Sequence, residues 1–174
     1  MNTNYEVDAI PMLLRENCVP EGYEPLIPYK QQLTDRCKAM GCKRKSDCLG
    51  LEDEALLSAG LPDMELVGLF RRFLRLYDPD QKRQKEIRKL KKAPEETEVL
   101  LELALLPGVD SALAQLYYGA GFRSVAEIAG QKPEEIRKRV KQWAGEQDLS
   151  WKIPQIKELR IQIAVANAFV GRAE

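Results

Sequence analysis

Residues 33–56 of this chain reappear, in pattern, 80 positions later as residues 113–136. Leu33 then meets Leu113, Gly41 meets Gly121, Asp47 meets Glu127, Gly50 meets Gly130, Glu54 meets Glu134 and Leu56 meets Ile136. A repeat of this length marks one supersecondary unit used twice, because each copy has the same apolar face to bury. Three of the four cysteines lie inside it. Cys37 falls on Tyr117, Cys42 on Phe122 and Cys48 on Ile128, so each thiol stands where the second copy has a large apolar side chain. The alignment predicts a helical architecture with those cysteines in its core.

The periodicities agree. Apolar residues recur at helical spacing, as in Leu66, Leu69, Phe70, Phe73, Leu74 and Tyr77, and β-branched alternation is nearly absent. The fold expected is all-α. Lys and Arg together number 27 and so do Asp and Glu, so no bulk charge draws the chain toward nucleic acid or a membrane. Histidine is absent, which removes the commonest general acid/base and a common metal ligand. There is no phosphate loop and no nucleophile elbow, so a non-catalytic protein without a cofactor is expected. The N-terminal residues lack a secretory pattern, and no apolar run reaches membrane-spanning length. A cytoplasmic setting with reduced thiols, away from membranes, is the corresponding expectation.

Breakers divide the chain. Residues 1–25 hold Pro11, Pro20, Gly22 and Pro25 and read as an extended lead-in, with a short helix expected over Ile10 to Cys18. Residues 26–80 form a first helical unit, with a helix from Pro28 to about Met40 stopped by Gly41, and Asp53 as a helix cap. Residues 81–94 are a polar, basic connector. Residues 95–174 repeat the plan: helices from Glu95 to Leu105, Ser111 to Tyr118, Ser124 to Ala129, Pro133 to about Trp143, and a last one after Pro154. Leu61-Pro62-x-Met64 also corresponds to Ile153-Pro154-x-Ile156, at a different offset.

Leu105-Leu106-Pro107-Gly108-Val109, followed by Ala112 and Leu116, resembles the first half of a helix-hairpin-helix unit. The continuation Ala120-Gly121-Phe122-Arg123-Ser124-Val125 is similar to the segment after that hairpin in the C-terminal domain of the bacterial RNA polymerase alpha subunit, and in small bacterial families of unknown function. The resemblance covers about residues 98–145. It implies two tandem helix-hairpin-helix (SAM-like) units, the first of them degenerate and reached only through the repeat. It also implies a phosphate-binding use of the hairpin Pro107, Gly108, Val109 and Asp110, whose glycines let the backbone approach a phosphate at a helix N-terminus. Here the sequence departs from the family. Asp110 stands where a second glycine is usual, and its carboxylate is expected to cap the following helix and repel an anion. The first copy reads Ile27-Pro28-Tyr29-Lys30 there, without glycine.

Two other groups carry candidate chemistry. Cys18, Cys37, Cys42 and Cys48 would be the only complete thiol set for a metal, but they include no Cys-x-x-Cys pair of the kind structural zinc sites use. Buried free cysteines behave as small hydrophobes, so no metal is the leading expectation and these four the alternative. Between Arg71 and Lys92 there are ten Lys and Arg against Asp78, Asp80 and Glu86. Lys82, Arg83, Lys85, Arg88, Lys89, Lys91 and Lys92 would line an exposed helix able to touch a phosphate backbone without reading bases. The expected partner is nucleic acid through this connector, or alternatively a protein docked on the helical faces.

Overall fold

The computed structural model describes residues 3–16 and 18–171. The outer ends of the expected lead-in and of the final unit lie outside the described residues. The protein is all-helical: eleven α-helices and two short 3-10 helices occur among the described residues, and the only extended pairing described there is one antiparallel bridge, Glu6 with Arg44. The chain divides into two compact units between Leu76 and Tyr77.

The N-terminal unit holds α1 (Ile10–Leu13), α2 (Lys30–Ala39), α3 (Lys45–Leu49), α4 (Asp53–Ser58) and α5 (Met64–Leu74). The segment expected as an extended lead-in is packed into this unit. Tyr5, Val7, Ile10, Leu13 and Leu14 are buried, and Val7 N–H donates to Lys43 O at 2.9 Å while Lys45 N–H donates to Tyr5 O at 3.0 Å. Helix α5 opens on Asp63, whose carboxylate accepts from Leu66 N–H at 2.9 Å, and buries Val67, Phe70, Phe73 and Leu74 along one stripe. Asp53, expected as a cap, is instead the first residue of α4, and Glu52 takes the cap position.

The C-terminal unit holds α6 (Gln81–Lys89), α7 (Pro94–Leu103), α8 (Ser111–Gly119), α9 (Val125–Ile128), α10 (Pro133–Glu146) and α11 (Ile156–Phe169). Helix α8 is central: α6, α7 and α10 all pack on it, and α10 packs in turn on α11. Proline opens α7 and α10 at the first helical position, where its missing N–H breaks no bond, and acids follow it. Helix α10 runs past Trp143 to Glu146 and closes at Asp148, a non-glycine residue with φ 54°.

The two repeated windows share one turn. Gly41 (φ 87°) and Gly121 (φ 102°) follow α2 and α8, each in the left-handed region that glycine enters without a Cβ clash. Gly41 N–H donates to Lys38 O and Cys42 N–H to Cys37 O, both at 3.0 Å. Gly121 N–H donates to Tyr118 O at 3.1 Å and Phe122 N–H to Tyr117 O at 2.9 Å. These are the two bonds of a Schellman closure, which reverses the chain and drives the next residue under the helix. Cys42 and Phe122 are both buried as a result. The acid six residues beyond each glycine tightens the turn: Asp47 accepts from the N–H groups of Lys43 and Arg44, and Glu127 from that of Arg123.

Those two backbone donors hold the Asp47 carboxyl below its ordinary pKa. The folded state therefore binds this proton less tightly than the unfolded chain, so the stability Asp47 contributes is complete above about pH 4 and is lost as the pH falls through the lowered value. Asp47→Asn should flatten the acid side of a plot of melting temperature against pH. An unchanged acid limb would show that this turn does not depend on the charge.

Candidate functional site

Helix α6 begins at Asp80, whose carboxylate accepts from Lys82 N–H at 2.9 Å and Arg83 N–H at 3.3 Å. Ile87 is fully buried and ties the helix to its unit. On the opposite side Lys82, Lys85 and Lys89 form one stripe at helical spacing, covering about 10 Å at the usual rise. Arg88 flanks them, and Lys91 and Lys92 continue past the helix end, where Lys91 takes φ 53°. Of the seven expected cations, these six are exposed. Arg83 alone is half-buried, and its guanidinium lies 3.8 Å from Asp80. Among the described residues none of the other six is in an ion pair. Six unpaired positive charges within 11 residues make a concentrated positive field, and such a field attracts polyanions.

Arg71, at the head of the basic stretch in sequence, does something else. Its guanidinium donates to Leu51 O at 2.7 Å and Leu49 O at 3.3 Å, and pairs with Asp53 at 2.7 Å. It ties α5 to the turn before α4 and has few donors left for a ligand. The exposed ion pair with Asp53 contributes little alone, whereas bonds from a charged donor to carbonyls are worth about 1.5–3 kcal/mol.

The hairpin lies between α7 and α8. Gly108 has φ 78° and is exposed, and Val109 is fully buried and anchors the turn. Asp110 Oδ1 accepts from Leu113 N–H at 2.8 Å, so the carboxylate occupies a donor at the α8 N-terminus and sets a negative charge there. Behind the turn, the buried Gln162 takes a hydrogen bond from Tyr117 Oη, and burial pushes the Tyr117 phenol well above its ordinary pKa.

Cys37, Cys42 and Cys48 are buried together in the N-terminal unit, and Cys18 is half-buried. Cys48 is hydrogen-bonded to Cys37 and is held as a thiol far above the usual range by that bond and by burial. Burial also raises Cys42. Among the described residues no group of three or more His, Cys, Asp or Glu is arranged to hold a metal ion. No helix there is long and apolar enough to cross a membrane.

The sequence marks Arg137, Lys138, Arg139 and Lys141 as a further basic cluster, but does not foresee that Arg139 joins a second group at the end of α8. Arg123 and Arg139 lie over the rings of Tyr118 and Phe122, and the Trp143 indole lies against Gly119. Glycine at 119 and 121 was the available clue, since a side chain at either would collide with these groups.

No protein family matches the chain, and no solved structure matches it. A stretch of 62 residues is 36% identical to ATP-dependent DNA helicase Hel308 of Thermoplasma acidophilum. The match covers 36% of this chain and 9% of the helicase, so the likeness is to a small part of a much longer protein.

Two substitutions separate structural from surface roles. Asp110→Ala should cost about 1 kcal/mol in urea denaturation through loss of the cap. Arg71→Ala should cost about 1–3 kcal/mol by the same assay. A change within experimental scatter in either would mean that solvent replaces these bonds.

Proposed function

We propose that this chain is a non-catalytic binding module of helix-hairpin-helix type that grips the phosphate backbone of nucleic acid through α6 and its tail. The observation that carries the reading is the exposed, unpaired set Lys82, Lys85, Arg88, Lys89, Lys91 and Lys92 on a chain whose overall charge is balanced. Charge gathered in this way on a neutral protein serves local recognition. The likeness of a segment to part of a DNA helicase supports the same partner class. Such contacts position the protein on the backbone and carry no base preference. A reducing cytoplasm is the setting that suits four thiols without disulfides.

A second reading, a protein-interaction adaptor, is favoured by Asp110. The capped, negatively charged hairpin is poorly suited to phosphate, so the hairpin is assigned no part in backbone contact.

Titration against labelled duplex and single-stranded oligonucleotides at several salt concentrations tests the proposal. If all six cations meet phosphates, log affinity should fall with log salt at a slope of about −5. The double variant Lys85→Glu/Arg88→Glu should bind at least about tenfold more weakly at low salt, with a slope shallower by about 2. Unaltered affinity in the double variant removes α6 from the interface. No binding at low salt leaves the adaptor as the better reading.

A further inference from the structure

Arg123 and Arg139 reach one corner of the C-terminal unit from different elements. Arg123 lies in the turn after α8, with its Cζ 3.7 Å from the centroid of the Tyr118 ring. Arg139 comes from α10, with its Cζ 4.0 Å over the Phe122 ring. Each guanidinium is also pinned to the backbone. Arg123 Nη1 donates to Tyr118 O, and Arg139 Nη2 donates to Ala120 O at 2.8 Å. These are carbonyls at the end of α8, where intrahelical donors run out. Capping takes one of five N–H groups on each side chain. Among the described residues no further hydrogen bond or ion pair engages either guanidinium, and both arginines are exposed.

The corner is shaped for this approach. A Cβ on Gly121 would come within 2.8 Å of Arg139 Nη2, and φ is 102° there, so the chain has glycine where the guanidinium passes closest. Beside it is an open pocket of about 390 Å³, walled by Gly121, Phe122, Glu127, Gln131 and Arg139.

We infer that this corner is a stacking platform for unpaired nucleobases, with Arg123 and Arg139 as the base-contacting planes. The inference rests on the nucleic-acid reading above and deepens it by naming single-stranded segments as the preferred ligand. Guanidinium planes stack on bases as aromatic rings do, and unpaired bases are the ones free to be splayed onto them. A plane already backed by an aromatic ring and held by a backbone bond loses little rotamer freedom when a base arrives. Gln131 supplies both a donor and an acceptor for base edges within the pocket. Backbone contacts through α6 would hold the strand, and the stack would distinguish an open strand from a duplex, whose bases are already stacked on each other.

Arginine-to-lysine exchange separates stacking from charge. Arg123→Lys and Arg139→Lys keep the positive charge but remove the plane. Fluorescence anisotropy with a labelled mixed-sequence single strand and its duplex should show each variant at least about fivefold weaker on the single strand. Duplex affinity and salt slope should stay within about twofold of the wild type. Equal losses on both ligands, or no loss on either, would overturn the inference. Photocrosslinking of the wild-type chain to a 5-iodouracil single strand gives a readout that needs no substitution. Adducts within residues 118–123 or at Arg139 are expected, and adducts found only elsewhere sink the platform. If the α6 double variant loses binding while both lysine variants keep it, the α6 reading stands and the platform falls. The reverse pattern keeps the platform and removes α6, and a wild-type chain that binds no oligonucleotide ends both.

Discussion

Helix closure by a left-handed glycine is the constraint on which much of this architecture rests. At Gly41 and again at Gly121 the chain reverses through two backbone hydrogen bonds, and the next residue is forced beneath the helix it has just left. An L-residue with a Cβ meets a steric clash in that conformation, so the position is nearly reserved for glycine. Once the reversal is made, the next helix begins within a few residues and finds its packing partner at once. The short helices α3 and α9 are too brief to persist alone and depend on that placement.

The same turn is lined differently in its two occurrences. After α8, Tyr117 and Phe122 meet edge to face with centroids 6.2 Å apart, and Ile128 completes a bulky apolar cluster. After α2 the equivalent places hold Cys37, Cys42 and Cys48, smaller groups that hydrogen-bond among themselves. The unit containing them also buries Tyr5 and Val7 from the N-terminal segment, which adds its backbone to the turn through Lys43 and Lys45. Burial raises Cys42, and its bond to Cys37 together with burial raises Cys48, so these two thiols are poor nucleophiles, whereas the same bond lowers Cys37.

Charge is used in three distinct ways. On α6, at every cation but Arg83, it is left unpaired at the surface, where water solvates it and a polyanion can reach it. At Arg71 it is directed within the N-terminal unit to carbonyls of the turn before α4. At Arg123 and Arg139 it does both, since one edge of each guanidinium completes the end of α8 while the plane stays exposed. Residue type alone does not distinguish these uses; the number of backbone carbonyls within reach does.

Much of the helical plan was legible in the sequence because its punctuation is local chemistry. Gly41 and Gly121 stop helices, Asp110 caps one and Pro133 opens another, each through one residue acting on its neighbouring backbone. The end of α10 escaped notice, since Asp148 accepts a positive φ that composition does not advertise. The basic set on α6 was legible for the same local reason, since Ile87 and Leu90 are the only apolar anchors among strongly charged neighbours; the structure buries Ile87 and leaves Leu90 exposed. Only the tertiary structure decided the pairings between residues far apart in the chain. The bond of Arg71 to Leu51, the bridge of Glu6 to Arg44 and the stacking of Arg139 on Phe122 are such pairings, separated by 17 or more residues. Nothing in the local pattern specifies them, because each depends on which helix faces come together when the core closes.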